Sequence, residues 1–180
     1  MKRAARKRRT ARSGRGRDST LRVYVLRHGI AEDAAPGGSD AVRALTPAGK
    51  QKLRTVLDRA RAAGVRPSII LTSPLKRALQ TAEIARAVLG VKAELVTTTA
   101  LAPTGTPQRI WGEIRERGAE RVLISGHEPL LSQAVAFLLR CPALQLDLKK
   151  GALVSLDVET GEPEPHGILK WVLTPKLAAR

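Results

Sequence analysis

Two observations predict an α/β protein, a three-layer α/β/α sandwich around a mostly parallel sheet. Short apolar runs alternate with amphipathic, helix-spaced segments from Leu21 to Leu173, and Gly, Pro, Ser or Thr stands where one type of segment gives way to the next. The first run, Leu21–Leu26, reads as a buried strand, since Val and Tyr favour the pleat and Gly29 ends the pattern. Arg27 and His28 then stand at its carboxyl end, where open α/β sheets bind ligands. A loop over 30–39 contains Pro36-Gly37-Gly38, which is no dinucleotide fingerprint because no G-x-G-x-x-G helix opening follows.

Thr46-Pro47 opens a helix that runs to about Ala63 and stops at Gly64, with Leu53, Val56, Leu57 and Ala60 on its apolar face. Ser68–Thr72 is the second strand. Thr72 or Ser73 is expected to cap the next helix, with Pro74 and Arg77 in its first turn and Gly90 at its end. A third strand is expected over Lys92–Val96, then a helix over about Gln108–Arg117. The Arg121–Ser125 strand ends in Gly126-His127-Glu128-Pro129, and a helix follows to about Arg140. Further strands are expected at Leu144–Leu148, Ala152–Asp157 and Ile168–Leu173, extending one edge of the sheet and at least partly antiparallel. Trp111 and Trp171 read as boundary packing residues, Cys141 as packing, and His166 as a loop residue without function.

The 180 residues suit one domain with a sizeable core. Aromatics make up 2%, so the core is aliphatic and surfaces for stacking bases are scarce. No apolar run approaches the roughly 20 residues of a membrane span. A single cysteine excludes an internal disulfide and a cysteine-based zinc cluster, and fits a reducing cytoplasm. The net charge of +16 is uneven, because Met1–Asp18 alone holds nine Lys/Arg against one Asp. Residues 1–19 are therefore expected to be a basic disordered tail, 20–175 the folded domain and 176–180 a C-terminal tail. The basic tail reads either as a solubilising extension, including one upstream of a true start further along, or as a nonspecific contact to polyanions such as nucleic acid, polyphosphate or acidic membrane.

Three strand ends thus bring chemistry to one edge of the sheet. His28 can act as a nucleophile near neutral pH, and Arg27 and Arg77 offer planar donor forks suited to phosphate. His127 arrives at the same edge. Each of these taken singly has a bland reading, a solvated arginine or a histidine satisfied by backbone; their convergence does not.

The set resembles the histidine phosphatase superfamily, with its phosphoglycerate-mutase-like fold, and within it the SixA type of phosphohistidine phosphatase. The resemblance runs from about Leu21 to Trp171. It is carried by Arg27-His28-Gly29, by Asp40 to Gly49, by Ser73 to Ala82 with Arg77 inside it, by Gly126-His127-Glu128-Pro129, and by Lys150-Gly151-Ala152. It implies that His28 is the nucleophile, that Arg27, Arg77 and His127 form the phosphate pocket, and that Ser73 and Gly29 help bind substrate. It also implies a metal-independent phosphatase without cofactor, since the arginines supply the positive charge.

Phosphate-ester phosphatases of this superfamily commonly use a glutamate after the third strand as general acid. No Asp or Glu occurs here between Glu94 and Glu113. An alkoxide leaving group needs that proton. An imidazole, of unperturbed pKa near 6.5, leaves easily as a neutral ring. The expected substrate is thus a phosphohistidine-bearing protein, such as a histidine phosphotransfer domain, and the short linkers leave the site open to one. The alternatives are an ester phosphatase acting on a small metabolite, with Glu32, Asp33 or Glu128 as acid, and a non-catalytic phosphate-binding adaptor.

Overall fold

The computed structural model describes residues 20–34, 36–160 and 164–180; the basic stretch 1–19 and its expected disorder lie outside them. Six strands form one sheet: β1 (Thr20–Arg27), β2 (Ile69–Thr72), β3 (Glu94–Thr97), β4 (Arg121–Gly126), β5 (Leu153–Glu159) and β6 (His166–Leu173). Their order is β3-β2-β4-β1-β5-β6. The first four in that order are mutually parallel, whereas β5 and β6 run antiparallel along one edge.

Side-chain alternation divides the core into two layers. Tyr24, Leu26, Ile70 and Leu123 face α1 (Pro47–Ala62), α2 (Lys76–Leu89) and the short α5 (Pro175–Ala178). Val23, Val25, Leu71, Val122 and Ile124 face α3 (Pro107–Glu116) and α4 (Leu130–Leu138). The expected α/β/α sandwich is the architecture observed.

A repeated local signal starts three of the five helices. In α1, α3 and α5 a Thr-Pro pair places the threonine at the N-cap and the proline inside the first turn. Thr46 Oγ1 accepts the Gly49 N–H at 2.9 Å, and Thr106 and Thr174 do the same for Arg109 and Leu177 at 3.3 Å. Each cap satisfies an N–H that a helix start leaves unpaired, and proline contributes no such donor. Gly64, at φ +81°, follows the end of α1, and Gly90, at φ +64°, ends α2; both are left-handed positions that glycine adopts without strain.

Five expectations need correction. The alternating Leu144–Leu148 segment is no strand. Its carbonyls serve side chains instead: Leu146 O accepts from Ser132 Oγ at 3.0 Å and Leu148 O from Arg27 Nη1 at 2.6 Å. Neither Thr72 nor Ser73 caps α2. Its N-cap is Leu75, and Ser73–Leu75 stay outside the helix because the Ser73 hydroxyl is used elsewhere. Cys141 is exposed rather than packed, and Trp111 lies within the core, 4% exposed. The segment set apart as 176–180 is largely the end of α5, whose Ala178 is buried and whose carbonyl accepts from Arg59 Nε of α1 at 3.2 Å.

Candidate active site

Parallel register brings the chemistry together. Arg27 of β1 pairs with Gly126 of β4, so His28 and His127 follow one step beyond on neighbouring strands. Thr72 of β2 pairs with Ser125, which sets Ser73 beside Gly126. The imidazoles of His28 and His127 lie with centroids 5.1 Å apart. Both residues are buried, as are Ser73 and Arg77.

The His28 ring is held in one orientation. Its Nδ1 donates to the Gly29 carbonyl at 2.7 Å, since a carbonyl only accepts. That leaves Nε2 as the nitrogen with a lone pair. Burial, with Arg77, Arg27 and Lys150 nearby, pulls the His28 pKa down to about 4, so the ring is neutral at pH 7. His127 is pulled down to about 3, first by burial, then by the charges on His28 and Arg77.

The Gly29 turn is tied to α2. Gly29 N–H donates to Thr81 Oγ1 at 3.1 Å, and that hydroxyl donates to Arg77 O at 2.7 Å. The same threonine thus fixes the loop carrying His28 and the helix turn carrying Arg77. Gly29 packs closely under α1, where an added Cβ would sit 3.3 Å from Leu45 Cδ2. Beneath the loop, Gly151 N–H donates to His28 O at 3.0 Å, which fastens Lys150-Gly151-Ala152 to it.

All six residues singled out in the sequence (Arg27, His28, Gly29, Ser73, Arg77 and His127) meet at this edge. Ser73 Oγ lies 2.8 Å from His127 Nε2. Among the described residues only three buried side-chain polar atoms lack a partner: Arg27 Nε, His127 Nδ1 and Ser155 Oγ. Two of the three belong to this site. An unpartnered buried polar atom is costly in a finished fold, and these two stand in the frame around His28.

Asp40 carries no assigned role in the sequence reading, yet it reaches the site. Arg77 donates through Nη1 to the Asp40 carbonyl and through Nη2 to its carboxylate, both at 2.8 Å. Arg43 donates to the other carboxylate oxygen at 2.8 Å. These two guanidinium contacts, Arg43 first, hold the Asp40 carboxyl below the usual range. The signal was a Ser39-Asp40 pair before the Arg43–Thr46 stretch, but sequence alone cannot show that its loop folds back onto Arg77. Glu128 turns away to Ser132, whose N–H donates to its carboxylate at 3.1 Å. Among the described residues no cluster of His, Cys, Asp or Glu has the grouping to hold a metal ion.

The profile described as histidine phosphatase superfamily (branch 1) matches residues 23–102. An uncharacterized protein of Picosynechococcus is 36% identical over 153 residues, covering 81% of this chain and 90% of its own. The chain belongs to the histidine phosphatase superfamily. Phosphohistidine phosphatase SixA of Escherichia coli is 29% identical to this superfamily member over 161 residues, covering 86% of this chain and 94% of SixA. The structure of the protein histidine phosphatase SixA complexed with tungstate superposes with a TM-score of 0.74 at 28% identity, covering 87% of this chain and 98% of the other. Membership and these likenesses support phosphatase activity. No helix among the described residues is long and apolar enough to cross a membrane.

Proposed function

We propose that this phosphatase removes the phosphoryl group from phosphohistidine on a protein, without a metal, through a covalent N-phosphate on His28. Nε2 of His28 attacks phosphorus as the bond from phosphorus to the substrate imidazole breaks. The substrate ring, protonated on its remote nitrogen, departs as neutral imidazole. Water then attacks phosphorus, the bond to Nε2 breaks, and inorganic phosphate and neutral His28 result. Arg27 and Arg77 neutralise the non-bridging oxygens, where charge stabilisation matters most for phosphoryl transfer.

The observation that carries the reading is the convergence of neutral His28, its Nε2 lone pair free, with Arg27, Arg77 and His127 at one edge of the sheet. Ser73 Oγ already accepts from Leu75 N at 3.3 Å, which leaves its own proton to donate to His127 Nε2. The His127 proton is then on Nδ1, as a donor for a phosphoryl oxygen. Ser73 thereby serves the substrate through His127, and Gly29 serves it by fixing the His28 loop to Thr81. The similar SixA structure was solved with tungstate, a tetrahedral oxyanion, which supports an oxyanion as ligand for a protein of this fold.

Phosphohistidine is favoured over phosphate esters by the state of the nearby carboxylate. Asp40 beside Arg77 and Arg43 stays ionised, so it has no proton to give a departing alkoxide. The sequence between Glu94 and Glu113 supplies none either. The test compares turnover of a phosphohistidine protein, an aryl phosphate and a sugar phosphate by the full chain. The expected order of rates is the order given. Fast, selective cleavage of the sugar phosphate would contradict the proposal.

A further inference from the structure

A basic groove of about 870 Å³ opens beside the phosphate site, and the two share Arg27. Its cations come from four separate parts of the fold: Arg27 at the end of β1, Lys52 on α1, Lys149 and Lys150 before β5, and Lys176 on α5. Its one acid, Asp147, is taken by an ion pair with Lys149. Lys52, Lys150 and Lys176 form no ion pair among the described residues, and all three are exposed. Ile30, Pro175 and Ala179 give the groove apolar patches between the charges. Four ammonium groups carried on one small helix, one long helix and one loop are not needed to hold a phosphoryl group, which the arginines already meet.

We infer that this groove docks an acidic segment of the phosphohistidine-bearing protein and so steers its modified histidine to His28; the inference rests on the substrate class proposed above. Its volume of about 870 Å³ suits a chain rather than a single small anion. The apolar patches suit aliphatic side chains between carboxylates, and no aromatic side chain lines it on which a nucleic-acid base would stack. Lys150 belongs to both regions, since its charge also acts on His28. A partner's carboxylates meeting the lysines would raise the encounter rate and orient the phosphoryl group before it enters.

The test uses the full chain and the double variant Lys52→Glu/Lys176→Glu, neither residue touching the phosphate site. Circular dichroism and the Lys52→Gln/Lys176→Gln pair control for folding, the latter giving a smaller change in the same direction. Three probes are measured at low and physiological salt: free phosphohistidine, a phosphohistidine protein with an acidic surface, and a fluorescein-labelled peptide rich in Glu and Leu. Free phosphohistidine should turn over equally in both proteins. The Glu variant should lose about tenfold or more in kcat/KM for the phosphoprotein at low salt, by the loss of steering. It should also lose peptide binding, and both losses should shrink as salt rises. Equal phosphoprotein turnover and equal peptide binding by variant and wild type would overturn the docking site. So would a duplex DNA or an anionic vesicle that the groove binds in preference to the peptide. If no phosphohistidine is hydrolysed while peptide binding still depends on Lys52 and Lys176, the substrate reading falls and the acidic-segment site stands.

Discussion

The rings of His28 and His127 stand 5.1 Å apart with planes inclined at 52°, and both are buried among cations. Two imidazoles so placed cannot both be charged near neutral pH. One is left as a base with a free lone pair and the other as a neutral donor, which is the division of labour that phosphoryl transfer to a ring nitrogen requires.

The pH profile follows directly. With the His28 pKa pulled down to about 4, the proposed nucleophile stays unprotonated through mildly acid conditions. The kcat/KM of the free enzyme for a small phosphoramidate should hold down to about pH 5 and then fall with a midpoint near 4, once the substrate's own ionisation is allowed for. An acid limb centred near the ordinary histidine value of 6.5 would show that His28 is not held as described.

Stability should depend on pH with the same sign. A histidine on the unfolded chain takes up a proton near 6.5, whereas folded His28 does so only near 4 and folded His127 near 3. Below 6.5 the unfolded chain therefore binds more protons, and stability declines as pH falls towards those values, by at most about 1.4 kcal/mol per group for each pH unit. Urea midpoints of wild type and His127→Gln, measured from pH 7 to 4.5, should converge as pH falls. Parallel curves would show that His127 titrates normally.

Thr81→Val keeps the side-chain shape but removes the hydroxyl shared by Gly29 N–H and Arg77 O. A buried amide is then left without its acceptor, at a cost of about 1–3 kcal/mol. Denaturant unfolding should show that loss. Because the bond ties the His28 loop to the Arg77 turn, kcat should fall more than KM rises.

Ser73→Ala should act on catalysis through His127, while also removing the acceptor of the Leu75 N–H at the start of α2. Removing the 2.8 Å partner of His127 Nε2 loses a bond of about 0.5–1.5 kcal/mol, which frees the ring to take the other tautomer. A loss of about 3- to 10-fold in kcat/KM is expected, with the label on His28 still forming. Complete inactivity with an intact fold would make Ser73 a direct participant.

Removing residues 1–18 deletes nine basic side chains and one acid but none of the residues at the site. We propose that they form a separate basic tail. Turnover of a small phosphoramidate should be unchanged, while binding to polyanions should weaken and lose much of its salt dependence. Loss of small-substrate turnover in a folded truncated protein would join the tail to the active site.

The strand ends were legible because each couples an apolar run to a Gly, Ser or Pro that stops it, and parallel register then aligns His28, Ser73 and His127 with little left to choose. The Thr-Pro start of α1 was legible for the same reason, since capping is a local interaction; the same pair at Thr106-Pro107 reads as loop in the sequence, and α3 starts one residue earlier than expected. What escaped was decided at long range. The Leu144–Leu148 alternation looks like a strand until Ser132 and Arg27 claim its carbonyls. Asp40 reaches Arg77 across 37 positions, and α5 is too short to show a period. In each case a side chain distant in sequence satisfied a backbone group or a charge, and no local pattern records that.

The central claim is tested most directly by trapping phosphate on the enzyme. Wild type quenched during turnover of labelled phosphohistidine should carry an acid-labile, base-stable label that peptide mapping places on His28. His28→Ala, removing a side chain at a strand end rather than from the packed layers, should fold, carry no label and turn nothing over. Label on another residue, or substantial hydrolysis by the folded His28→Ala protein, would contradict the account.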